Sequence, residues 1–250
     1  MNIRTALLTL CVASALCAGA AASESEKHWA YSGHEGPAEW GSIKPEYAVC
    51  KLGHFQSPID IRGAKPADLP AIKFDYKPSA LRIIDNGHSI QVNYAPGSFI
   101  DIGGVRYELQ QFHFHKPSEE KINGQAHDMV AHLVHKGPDG KLAVVAVLLD
   151  KGGASDVIDT LWKNIPKEKG KESMIVGATI DATALLPATR DYYTFQGSLT
   201  TPPCSEEVTW FVLKTPVKIA DSEIAAFGKI YPLNARPVQP LNGRTIQTNK

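Results

Sequence analysis

Histidines at positions 113, 115 and 132 carry the strongest chemical signal in the chain. They lie in Gln111-Phe112-His113-Phe114-His115 and Ala131-His132-Leu133-Val134-His135. Side chains of a β-strand alternate faces, so His113 and His115 would point the same way, about 7 Å apart. The intervening segment contains an Asn123-Gly124 turn signal that can return the chain antiparallel and bring His132 to the same side. Three neutral imidazoles converging on one point suit a catalytic zinc, which accepts nitrogen ligands and keeps one position open for chemistry. The helical His-Glu-x-x-His arrangement of zinc proteases does not occur here. The alternative is an ordinary sheet with core or surface histidines. It would bury several imidazoles among apolar neighbours with no shared partner, which is costly. The ligand set alone also admits cobalt or iron.

A scaffold large enough to position such a site is available. The chain has 250 residues, 43% of them hydrophobic, which suits one large domain with a substantial core. Its 26 basic and 26 acidic residues balance, and no basic stripe suggests a nucleic-acid partner. Arg4, an apolar stretch over 6–15 and small residues through Ala22 read as a secretory leader cut after Ala20 or Ala22. The reading is therefore a leader over 1–22 and one catalytic domain over 23–250, with no membrane span and a periplasmic or secreted location. A homodimer is left open. Beyond the leader the cysteines are Cys50 and Cys204. In an oxidising compartment they read most simply as a disulfide, with two buried thiols as the alternative.

Short apolar runs separated by Gly, Pro, Asn and Asp clusters predict a β-rich domain. Strands are expected over 81–84, 89–93, 106–115, 129–135, 142–149 and 208–213. The unbroken apolar run over 142–149 predicts a central strand covered on both faces. Helical spacing predicts packing helices over 155–166, with Ser155 as N-cap, and over 221–230. His135 has the opposite strand parity to His132 and should face away from the other three. His28, His34, His54 and His127 read as terminal or loop residues.

The histidine pattern resembles that of the α-class carbonic anhydrases, and further blocks occur in that family's order. They are Gln56-Ser57-Pro58-Ile59-Asp60-Ile61, Asn86-Gly87-His88, Ser118-Glu119, the segment from Gly197 to Pro203, Val208-Thr209-Trp210 and Asn234-Ala235-Arg236-Pro237. The resemblance covers roughly residues 28 to 245 and is similar to the bacterial secreted branch. It implies a single, mainly β domain around a large, mostly antiparallel central sheet with short peripheral helices. It implies a zinc lyase, a carbonate dehydratase that reversibly hydrates carbon dioxide to bicarbonate by zinc-hydroxide attack. Anions and sulfonamides would inhibit it. The lowering of bound-water pKa to about 7 that such a site exerts is the carbonic anhydrase value itself, taken over with the resemblance.

By the same resemblance, His113, His115 and His132 match the zinc ligands. Thr200 would accept a hydrogen bond from the nucleophile and donate to Glu119. Thr201 matches a position near bicarbonate, and Val134, Val144, Leu199 and Val208 match the apolar wall that receives carbon dioxide. His88 is the implied proton shuttle, since an imidazole with an ordinary pKa near 6.5 exchanges protons near neutrality. Tyr31, Asn86 and Gln91 resemble the polar lining of the water path. Gln111 and the Asn234 carbonyl match the partners of His113 and His115. The chain departs from the pattern at Val130, where many relatives carry the glutamate that orients His132. A water, another side chain or a backbone carbonyl is expected in its place, with looser zinc binding as the consequence. Two other readings are a non-catalytic binding or storage relative, which intact ligands argue against, and a general zinc hydrolase of esters or amides.

Overall fold

A computed structural model describes residues 28–249; the leader expected over 1–22 lies outside the described residues. A 13-stranded mixed sheet organises the chain. Ten of its strands form one continuous path: β1 (Lys65–Ala67), β2 (Ser79–Asp85), β3 (Ile90–Asn93), β4 (Val105–His115), β5 (Met129–Lys136), β6 (Leu142–Lys151), β7 (Ser173–Ile180), β8 (Tyr192–Ser198), β9 (Glu206–Leu213) and β10 (Gln247–Asn249). Their spatial order is β7-β2-β3-β4-β5-β6-β9-β8-β10-β1. Most neighbours are antiparallel; β6 with β9 and β10 with β1 are parallel. The mainly β domain expected from the sequence is the observed one.

The alternation of side chains divides the core into two clusters. Phe112, Phe114, Leu133, Val145 and Val147 point to one face, where they pack with Val157, Ile158 and Leu161 of α1 (Asp156–Lys163) and Phe227 of α2 (Asp221–Ile230). Phe114 meets Trp162 edge-on, with ring centroids 5.0 Å apart. Val130, Val134, Val144, Ala146, Leu148 and Trp210 point to the other face. Both faces of β6 are thereby covered, which is why its sequence is apolar without interruption. Ser155 Oγ accepts from the Ile158 amide at 3.4 Å and starts α1, as its position before the apolar stripe predicts.

β4 and β5 are adjacent and antiparallel, and His132 lies directly opposite His113. This register places His113, His115 and His132 on the second face. Between the two strands, Asn123 and Gly124 have φ of 51° and 87° and form the tight turn joining Lys121–Ile122 to Gln125–Ala126. His135 lies on the opposite face, wholly buried, with Nε2 2.8 Å from Tyr76 Oη.

Candidate active site

Each of the three histidines has one ring nitrogen engaged and one turned inward. His113 Nδ1 lies 2.8 Å from Gln111 Oε1, and His115 Nδ1 lies 2.7 Å from the Asn234 carbonyl oxygen. His132 is held by its other nitrogen, with Nε2 3.1 Å from Glu120 Oε1. The nitrogens left over are therefore His113 Nε2, His115 Nε2 and His132 Nδ1. Ligand atoms of these residues lie within 4.8 Å of one another. Among the described residues, His115 Nε2 is buried with no hydrogen-bond partner. Burial pushes His113 down to about 3 and His115 well below its usual range, so both are neutral and their inward lone pairs are free. An all-nitrogen donor set, each ring held from behind by one nitrogen with the other uncommitted, fits a tetrahedral metal ion with one open position.

Asn234 fixes more than one wall of this arrangement. Its Nδ2 donates to the carbonyls of His88 and Phe114, each at 2.9 Å, while Oδ1 accepts from the Lys116 amide at 2.7 Å. The ligand strand and the turn carrying His88 are thus tied together.

Glu119 is buried beside the histidines. Its Oε1 accepts from the Arg236 amide at 2.7 Å, and Oε2 lies 3.4 Å from His115 Nε2. Burial, and to a lesser degree the neighbouring Glu120, push its carboxyl up to about 7 against the opposing pull of His132, the Arg236 amide and the Thr200 hydroxyl. A dication nearby would favour the carboxylate. Thr200 is itself buried, and its segment is anchored by the bond between Cys50 and Cys204. The Cys204 amide donates to the Thr201 carbonyl at 2.8 Å. Of the alternatives open to the two cysteines, the disulfide is the one formed.

A cavity of about 290 Å³ leads to the histidines. Val134, Val144, Leu199 and Trp210 line it on one side, and Tyr31, Asn86, His88 and Gln91 on another, with Thr200 and Thr201 also lining it. Val208 is outside this lining. It belongs to the buried apolar cluster of the second face, as the cavity-lining Val134 and Val144 also do.

His88 stacks on Trp29, with ring centroids 3.6 Å apart and planes 10° from parallel. Its Nε2 lies 2.9 Å from His28 Nε2. Burial, then the proximity of His28, push His88 down to about 4 in this pose. Sequence reasoning set His28 aside as a terminal residue, and His88 is 60 positions away from it. Glu120 carries no role from the sequence, and Arg236 enters there only within the Asn234-Ala235-Arg236-Pro237 block. Glu120 reads locally as a solvated charge, although it is fully buried. Arg236 reaches from Glu119 to the Cys50 carbonyl, 2.9 Å from its Nη2, a connection with no local sequence signal.

Fold and site together define a β-sheet protein with a three-histidine group able to hold one metal ion at the foot of a cavity that is apolar on one side and polar on the other. The family model described as eukaryotic-type carbonic anhydrase matches residues 35–250. A carbonic anhydrase from Nostoc sp. is 41% identical over 235 residues, 92% of this chain and 89% of the relative. One from Neisseria gonorrhoeae is 41% identical over 247 residues, 98% of this chain and 96% of the relative. The α-carbonic anhydrase of Thermovibrio ammonificans, solved with the inhibitor sulfanilamide, superposes with a TM-score of 0.85 at 42% identity, covering 88% of this chain and 98% of its own. The chain belongs to the α-class carbonic anhydrase family, metalloenzymes that hydrate carbon dioxide.

Proposed function

We propose that the reaction runs on a zinc ion held by His113 Nε2, His115 Nε2 and His132 Nδ1, and that His88 carries the released proton to solvent. The observation that supports this most is the convergence of the three uncommitted imidazole nitrogens below an apolar wall. Zinc, when bound, supplies a nucleophile near neutral pH by acidifying a water molecule. Uncharged ligands leave the ion's charge undiminished for that purpose.

The chain's residues do the positioning. Glu119, anchored by the Arg236 amide, would accept a hydrogen bond from the Thr200 hydroxyl, which already pulls the carboxyl down. With its proton so engaged, the Thr200 oxygen would have only lone pairs to offer, so it would accept a hydrogen bond from a group at the open metal position and orient it. Val134, Val144 and Leu199 form a surface for carbon dioxide, which is uncharged and weakly hydrogen-bonding. Thr201, which also lines the cavity, would help hold bicarbonate. Tyr31, Asn86 and Gln91 support a water path to His88; Asn86 Nδ2 donates to Gln91 Oε1 at 3.2 Å. Sulfonamides and small anions are expected to compete at the open metal position. The leader over 1–22 together with the disulfide supports a periplasmic or secreted site of action. No helix among the described residues is long and apolar enough to cross a membrane.

Stopped-flow carbon dioxide hydration tests this reading on the protein as purified, after chelation and after zinc is restored. Activity should vanish with the metal and return with zinc. Folded, zinc-loaded protein without hydration activity would refute the assignment. Faster turnover of an activated ester than of carbon dioxide would favour a general hydrolase.

A further inference from the structure

The partners that hold the three imidazoles from behind differ in kind. His113 has a neutral amide oxygen, His115 a backbone carbonyl and His132 a carboxylate. We propose that Glu120 is the positioning residue of His132, supplying from the turn after β4 the carboxylate that Val130 cannot offer from within β5. The proposal rests on His132 being a metal ligand.

Val130 precedes His132 by two residues and shares its face, pairing across the ladder with His115. It is wholly buried in the apolar cluster of that face and has no acceptor to give. Glu120, also wholly buried, brings Oε1 to 3.1 Å and Oε2 to 3.3 Å from His132 Nε2. Among the described residues, His132 is its only ion-pair partner. A buried carboxylate that, among the described residues, makes no ion pair with lysine or arginine needs a donor, and the imidazole N–H is that donor. The same contact fixes the proton on Nε2, leaving Nδ1 for the metal.

The turn is built to hold this pose. Ser118 Oγ donates to the Glu120 carbonyl at 2.7 Å and accepts from the His127 amide at 2.9 Å. The Ser118 amide donates to the His127 carbonyl at 3.0 Å. Glu119 and Glu120 are consecutive, so one short turn orients both Thr200 and a metal ligand. Of the replacements expected for the missing glutamate, it is another side chain that takes its place. Because that side chain is again a carboxylate, the looser zinc binding inferred from Val130 no longer follows.

The test is zinc release from the loaded protein into excess chelating dye, with circular dichroism and thermal melts in parallel. Glu120→Ala should release zinc about 10- to 100-fold faster than the native chain. Glu120→Gln, which keeps an acceptor but loses the charge, should fall between them. The double variant Glu120→Ala/Val130→Glu should recover slow release, because a carboxylate at position 130 approaches the same imidazole. In the zinc-loaded protein, the His132 Nε2–H proton resonance should shift upfield in Glu120→Gln, a change that a purely structural role would not produce. Folded Glu120→Ala with native release would overturn the proposal while leaving the zinc site intact. If the alanine variant does not fold, native release by Glu120→Gln would overturn it equally. Native protein that retains no zinc would instead overturn the site assignment and this proposal with it.

Discussion

Replacing both members of the disulfide, as Cys50→Ala/Cys204→Ala, should destabilise the protein strongly while changing catalysis much less. The bridge spans a sequence separation of 154. Closing a loop of that length removes roughly 17 cal/mol/K from the entropy of the unfolded chain, or about 5 kcal/mol at 25 °C. Whole-domain stabilities run from about 5 to 15 kcal/mol, so this is a third or more of the total. In a domain of this size each kcal/mol moves the melting temperature by about 2–4 °C, and the double variant should melt about 10–20 °C lower. Catalysis should be partly protected, because hydrogen bonds also hold the Thr200 segment. Gln56 Nε2 donates to the Cys204 carbonyl at 3.0 Å, and the Leu199 amide donates to the Ser205 carbonyl at 2.9 Å. At 25 °C kcat/KM should therefore fall less than about 10-fold, that is by under 1.4 kcal/mol of transition-state stabilisation. Calorimetry and guanidinium titration of native and variant protein give the first quantity, and stopped-flow hydration gives the second. Both sulfurs belong to buried residues, so reductant without denaturant should leave the native protein intact. A melting temperature lowered by less than about 3 °C would refute the loop-entropy argument. A large loss of kcat/KM in a still-folded variant would show that the bridge, and not these hydrogen bonds, positions Thr200.

Thr200→Ala should lower kcat/KM about 10²-fold, the order associated with losing one oriented hydrogen-bonding group, while zinc content measured by metal analysis stays at one per chain. His88→Ala should lower kcat by about 10²-fold in weak buffer and leave kcat/KM nearly unchanged, with recovery on adding imidazole; a parallel fall in both would place His88 outside proton transfer. His28→Ala should raise the His88 pKa from about 4, since it removes the contribution second to burial, and histidine NMR titration reads this directly. Burial pushes His135 down to about 3 against an unfolded value near 6.5, so the stability it confers is complete above pH 6.5 and is lost as pH falls toward 3. The loss reaches about 2 kcal/mol at pH 5, and urea midpoints of His135→Gln should accordingly decline less between pH 7 and pH 5 than those of the native chain.

The parts of this protein that were legible in its sequence are those where one local period decides the outcome. His113 and His115 alternate with Phe112 and Phe114, and that parity sends imidazoles to one face and aromatics to the other. The run over 142–149 announces a strand covered on both sides, and the stripe over 221–230 matches α2 as observed. β1, β7, β8 and β10 fall outside the expected strands, and for β7 and β10 the reason is the converse one. β7 exposes Met174 and Val176 and contains Gly177, whereas β10 is Gln247-Thr248-Asn249, so neither carries an alternating apolar pattern. Their strand character comes from the neighbours they pair with. The site divides in the same way. Gln111 is two residues from its histidine and could be read from the strand. Glu120, Arg236 and His28 act through contacts 12, 117 and 60 positions away, respectively. Glu120 is the most instructive of these, because its neighbourhood of lysines and a turn argues for solvent. What overrides that local argument is the tertiary demand of a buried imidazole for an acceptor. A missing acceptor at Val130 therefore indicates that one must be supplied from elsewhere in the fold, without indicating where.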